Sequence, residues 1–124
     1  ARTAFFGLFD GHGNNGEKAA TLGASVLTKH VQNYVTNKGE EQSIEAALLS
    51  EQQETMMTTA FRQTDSEICQ AVEQGGCTAI CVLIENSTLF VANTGDSRCV
   101  LCCKGVAKDL SSDHSPEDEE EKAR

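Results

Sequence analysis

Basic residues are scarce: ten Lys and Arg stand against 19 Asp and Glu, a formal net charge of −9. Nucleic-acid binders concentrate Lys and Arg on one face to meet phosphates, so no nucleic-acid partner is expected. The chain has no run of roughly 18 apolar residues that would cross a bilayer. It also lacks a basic start leading into an apolar block and a cleavage site. A soluble cytoplasmic or nuclear chain without a membrane partner is therefore expected. Internal repeats and low-complexity linkers are missing too. With 39% hydrophobic residues, the 124 residues fit one domain or part of one, with a core of modest size. The sequence opens on Ala1 and enters an apolar segment almost at once, which points to further sequence upstream. It closes on Arg124, the kind of residue after which a trypsin-like enzyme cuts.

What is present begins with acid and sulfur. Six acidic side chains fall between Asp113 and Glu121, and the five from Glu117 to Glu121 follow Pro116, the single proline. Acids just after a proline suit a helix N-terminus. They lack the glycine turns and alternating ligands of a divalent-cation loop. Six cysteines, Cys69, Cys77, Cys81, Cys99, Cys102 and Cys103, could form three disulfides. A chain with an ordinary apolar fraction and no secretory signal does not need them, so reduced thiols packed as small core hydrophobes are expected. Cys99 and Cys102 have CxxC spacing but lie in an apolar alternating stretch, with no second CxxC or His pair to complete a zinc site.

The apolar pattern changes period along the chain. Residues 4–9 read as a buried strand closed by a glycine-rich turn from Gly11 to Gly16. Ala20, Ala24, Leu27, Val31 and Tyr34 then share one helical face from about Gly16 to Val35, with Asn37, Lys38 and Gly39 ending the helix. A longer helix is expected from Ser43, a candidate N-cap, to about Val72. Its stripe is Ile44, Leu48, Met57, Phe61, Thr64, Ile68 and Val72, and Met56 and Met57 serve as core filler. Short β-rich runs follow at 77–84, 88–93, 97–103 and 106–110, at hairpin spacings. One strand, two helices and four strands favour an α+β fold with helices layered on antiparallel sheet.

Three polar clusters punctuate this scaffold: Asp10-Gly11-His12-Gly13, Ala92 to Arg98, and Ser112-Asp113-His114-Ser115-Pro116. Asp10, at the end of an apolar strand, can offer oxygen to a hard cation or can form an ordinary turn. His12 offers an imidazole, a side chain suited to proton transfer. Asp96 has two readings, a ligand or a local organiser bonding backbone NH groups, with Arg98 pairing with a carboxylate. Asp113 and His114 are placed to cap the C-terminal helix. His30, on a helix among polar neighbours, carries no signal.

Together with Gly76-Cys77-Thr78-Ala79, these clusters resemble, in order and spacing, the signature segments of the metal-dependent protein serine/threonine phosphatases of the PPM type. The similarity runs from Phe5 to about Arg124. The resemblance implies two antiparallel sheets flanked by helices, an α-β-β-α sandwich of which residues 1–124 form part, a partial catalytic domain. It also implies two Mn2+ or Mg2+ ions that activate a water for attack on phosphoserine or phosphothreonine in proteins. Asp10 matches the bridging metal ligand and Gly11 a ligand through its carbonyl. His12 matches the general acid for the leaving oxygen, and Asp96 a position that contributes to a third, weaker metal site in some members.

The pattern also breaks. The family's phosphate-gripping arginine and its upstream acidic ligand have no counterpart, since Arg2 lies too close to the strand. The two further aspartates of the family's C-terminal half lie beyond Arg124. One carboxylate and one carbonyl offset little of a cation's dehydration, so metal occupancy and phosphatase activity are expected to be low or absent in this chain alone. A half-sandwich also exposes sheet edges and apolar surface, which favours self-association. The alternative function is a catalytically silent phosphatase-like module that binds a kinase or scaffold protein.

Overall fold

A computed structural model of the chain describes residues 3–37 and 46–123. Strands β1 (Thr3–Leu8) and β2 (Gly11–Gly13) lead into helix α1 (Gly16–Asn37), and helix α2 (Ala46–Ala71) follows. Strands β3 (Gly75–Cys77), β4 (Ala79–Glu85), β5 (Thr88–Thr94), β6 (Val100–Cys103) and β7 (Val106–Asp109) come next, and the short helix α3 (Glu119–Ala123) ends the described chain. All strand pairings are antiparallel: β1-β4-β5 form one sheet, β2 pairs with β3, and β6 pairs with β7. The β6-β7 turn runs through Lys104 (φ 51°) and Gly105 (φ 78°). Left-handed backbone at both central residues is what a tight hairpin with native twist requires.

Alternation along the strands decides where the core lies. Phe5, Cys81, Leu83, Phe90 and Ala92 share the sheet face that packs under the helices. There they meet Leu27 and Val31 from α1 and Met57, Ala60 and Phe61 from α2. Leu27, Leu83 and Cys81 are almost fully buried. At the far end of β4 the buried Glu85 carboxylate accepts a hydrogen bond from Nε2 of the buried Gln53, joining α2 to the sheet.

The expected elements are present with several corrections. The buried stripe of α1 is Gly16, Ala19, Gly23, Val26, Leu27 and Val31; Ala20 and Ala24 sit half-buried beside it. Small residues at 16, 19 and 23 let α1 approach the strands, and apolar periodicity alone does not register glycine as buried. In α2, Met57 and Thr64 are buried as expected, and so are Gln53 and Ala60. The expected N-cap Ser43 and stripe residue Ile44 lie outside the described residues. Gly11 to Gly13, expected as a turn, form a strand because Gly75–Cys77 pairs with them. The strand expected to start at residue 97 starts at Val100. All six cysteines are free thiols, yet Cys81 alone is buried, while Cys69, Cys102 and Cys103 are exposed. No helix among the described residues is long and apolar enough to cross a membrane.

Candidate functional site

The two antiparallel ladders that flank Asp10 are one ladder interrupted once. Leu8 faces Ile80 and Gly11 faces Cys77, so the register is unchanged across the gap and sets Asp10 opposite Thr78. At that pair Thr78 N donates to the Asp10 carbonyl at 2.9 Å, as a ladder would have it. The return bond is diverted: Asp10 N donates to Thr78 Oγ1 at 3.2 Å. Thr78 Oγ1 also lies 2.8 Å from Ser97 Oγ. One threonine thus ties the Asp10 backbone to the turn that carries Asp96.

Asp10 and Asp96 are both exposed, and neither carboxylate has a hydrogen-bond or ion-pair partner among the described residues. The expectation that Asp96 bonds local backbone NH groups is therefore not met. Gly11 lies so close to the start of α1 that a Cβ there would collide with the Gly16 carbonyl. That contact fixes the backbone immediately after Asp10. His12 faces Gly76 across the β2-β3 ladder, and its ring covers the place a side chain would occupy: a Cβ at Gly76 would lie 2.9 Å from His12 Nε2. His12 stays exposed.

The Ser112-Asp113-His114 segment does different work from the helix capping expected of it. His114 N donates to the Gly95 carbonyl at 2.9 Å, and Gly95 N donates to His114 Nδ1 at 3.3 Å. Asn93 Nδ2 donates to the carbonyls of Gly95 (3.2 Å) and Ser112 (3.0 Å). Arg98 grips Asp113 with both nitrogens of its fork, Nε to Oδ1 at 3.0 Å and Nη2 to Oδ2 at 2.8 Å. The hydrogen bond from Arg98 holds the Asp113 carboxyl below its usual range, helped by the guanidinium's charge and opposed by partial desolvation. The same bond raises the Arg98 guanidinium. Arg98 pairing with a carboxylate matches the sequence reading. In the turn that precedes the C-terminal helix, Ser115 Oγ accepts from Glu117 N at 3.3 Å.

The oxygen donors suit a hard divalent cation in kind but not in number. Among the described residues no group of three or more His, Cys, Asp or Glu side chains is placed to hold a metal, and that includes the Cys99-Cys102 pair. Asp10 and the Gly11 carbonyl offer one carboxylate and one main-chain oxygen. Sequence reasoning assigned no role to Thr78, Asn93 or Ser97. Thr78 becomes readable only once the β1-β4 pairing is known, since extending that register to the glycines sets it opposite Asp10. Asn93 and Ser97 depend on how two loops meet, which no local pattern encodes.

The family model described as Protein phosphatase 2C matches residues 1–124. A probable protein phosphatase 2C 14 of Arabidopsis thaliana is 36% identical over 125 residues, spanning 100% of this chain and 25% of that protein. A probable protein phosphatase 2C 57 of Oryza sativa is 39% identical over 127 residues, spanning 98% of this chain and 31% of that one. The chain thus spans between a quarter and a third of these relatives' lengths. The crystal structure of the Mycobacterium tuberculosis serine/threonine phosphatase PstP/Ppp superposes with a TM-score of 0.64 at 22% identity, covering 90% of this chain and 47% of that one, and so shares its fold. Matched along its whole length by the family model and at more than a third identity by these relatives, the chain belongs to the Protein phosphatase 2C family.

Proposed function

We propose that the intact protein hydrolyses phosphoserine and phosphothreonine in proteins, with Asp10 and the Gly11 carbonyl as ligands of divalent cations, Mn2+ or Mg2+. Family membership supports the reaction class. The observation that carries the assignment is the unpartnered Asp10 carboxylate, held at the one interruption of a continuous ladder. A carboxylate left unpaired on a backbone fixed on both sides is ready to bind a cation without reorganising. Bound there, two divalent cations would supply an activated water and neutralise charge on the phosphoryl oxygens.

The chain's own residues do the positioning. Thr78 holds the Asp10 backbone from the opposite strand, and Gly11 lets that backbone pass close to α1. His12, seated over Gly76 and open to solvent, would donate a proton to the departing seryl or threonyl oxygen. Asp96 would add an oxygen donor for a further, weaker cation.

In the intact protein Asp10→Ala should abolish Mn2+-dependent phosphate release from a phosphothreonine peptide. His12→Ala should slow it by roughly 10²–10⁴-fold for esters with poor leaving groups, and less for aryl phosphates whose leaving group needs no proton. Wild-type rates in both variants would sink the assignment. The 124-residue chain alone is expected to show no such turnover. The second reading, a silent module that binds a kinase or scaffold, stays open because the chain spans only part of its relatives' length. An intact protein without Mn2+-dependent hydrolysis would decide for it.

A further inference from the structure

Strand β5 is an edge: β4 holds one side of it, and among the described residues no strand holds the other. Its seven residues, Thr88 to Thr94, include no proline and no charge, and its register with β4 runs unbroken, without a bulge. Edge strands commonly use one of those three devices to prevent pairing with another chain. β5 uses none of them.

Helix α2 runs beside β5 in the same direction. Its Gln53 bonds Glu85, which faces Thr88 at the start of β5, and its Thr64 shares a small cavity with Thr94 at the end. Between helix and strand lies an open groove, lined along α2 by Glu54, Thr58 and Arg62 and along β5 by Phe90 to Asn93. Glu54 and Arg62 are the two charged residues of that lining, and both are exposed. They lie about 12 Å apart along the helix, with Thr58 midway. Neither has an ion-pair partner among the described residues. A groove with an acid at one end and a base at the other is complementary to a copy of itself turned end for end.

We propose that β5 is a dimerisation edge: two copies of the chain pair their β5 strands antiparallel about a two-fold axis at Val91, the middle residue of the strand. The pairing joins two three-stranded sheets into one and satisfies the alternate N–H and C=O groups of β5 that β4 leaves free. Phe90 then faces the partner's Ala92 on the helix side of the sheet, a large side chain against a small one. Because α2 follows β5, the same axis brings Glu54 of each copy to the partner's Arg62. The contact uses the same edge of both copies, so it closes at two.

The test is sedimentation velocity of the intact protein at micromolar concentration, where wild type should show a monomer-dimer equilibrium. Glu54→Arg and Arg62→Glu should each raise the dimer Kd by roughly tenfold or more, because each sets like charges together twice per dimer. An equimolar mixture of the two variants should dimerise as wild type does, since every reversed side chain then faces an opposite charge. Each reversal reads alone if the other variant does not fold. Wild type that stays monomeric would overturn the proposal and leave the β5 edge to a different segment. A dimer indifferent to both reversals, or a mixture that stays monomeric, would overturn it too. A dimer lost in Phe6→Glu but kept in Glu54→Arg would place the association on the open face of the sheet instead, and so would also overturn it.

Discussion

Asp10 owes its position to a residue 68 places away, since Thr78 Oγ1 accepts from the Asp10 backbone and also meets Ser97. Thr78→Val keeps the shape and removes both bonds, and should destabilise the fold by roughly 1–3 kcal/mol, one modest hydrogen bond's worth each. Denaturant unfolding of the two proteins measures this, and equal midpoints and slopes would show the hydroxyl to be idle. The candidate ligand itself was legible, because a strand ending in Asp-Gly-His-Gly joins a hard oxygen donor to a titratable ring. Its support was not, because a threonine at a strand break looks like any β-branched strand residue until its partner is known. Cysteine reads the opposite way. Only Cys81 became a core residue, and burial pushes its thiol up to about 12. Burial, with a smaller push from Asp65, also raises Cys77. In the folded protein at pH 8, iodoacetamide should label Cys69, Cys102 and Cys103 and leave Cys81 untouched, as read by peptide mass spectrometry. Labelling of Cys81 at the rate of Cys102 would contradict its place in the core.

At the scale of elements, period and glycine placement located both long helices and most strands. They missed what depends on pairing. Gly11 to Gly13 carry no strand signal of their own and become a strand because Gly75–Cys77 lies alongside in the register β1 and β4 already hold. The α1 stripe turned toward its small residues for a related reason: Gly16 meets the Gly11 backbone, a contact that hydrophobicity does not foresee. The segment after β7 is tied back to the Asp96 turn by the Arg98-Asp113 fork. The Arg98 hydrogen bond holds the Asp113 carboxyl below the usual carboxylate range, so the folded state binds this proton less readily than the unfolded chain. The fork's contribution is therefore complete above the unfolded carboxylate's pKa and fades as pH falls through the lower, folded one. NMR titration of the Asp113 carboxyl should give a midpoint below the ordinary range that rises in Arg98→Ala. An unmoved midpoint would mean that the fork does not form in solution.

Among the described residues a helical layer covers one face of a small sheet, and the edge strands of the other face are exposed. Phe6 and Leu8 on β1 and Leu89 on β5 point away from the helices and are 61%, 57% and 41% exposed. They line up across β4 with Ile80, Val82 and Ile84, a patch without a charged side chain. The net charge of −9 opposes association in general, yet contiguous apolar surface of this kind favours burial. The 124-residue chain is expected to self-associate at micromolar concentration, with Phe6→Glu reducing the effect. Sedimentation velocity showing a monomer throughout would contradict it. Fold class and the order of the polar clusters were legible at this scale because strand, helix and hairpin signals agree. The way the three clusters meet was not, because loops separated by tens of residues come together only through the sheet. Asp10 is proposed as a cation ligand of a phosphatase centre. The most direct measurement is Mn2+ uptake by the intact protein, followed by loss of the free-ion electron paramagnetic resonance signal. Wild type should take up Mn2+ that Asp10→Asn leaves free; equal uptake by the two proteins would contradict the claim.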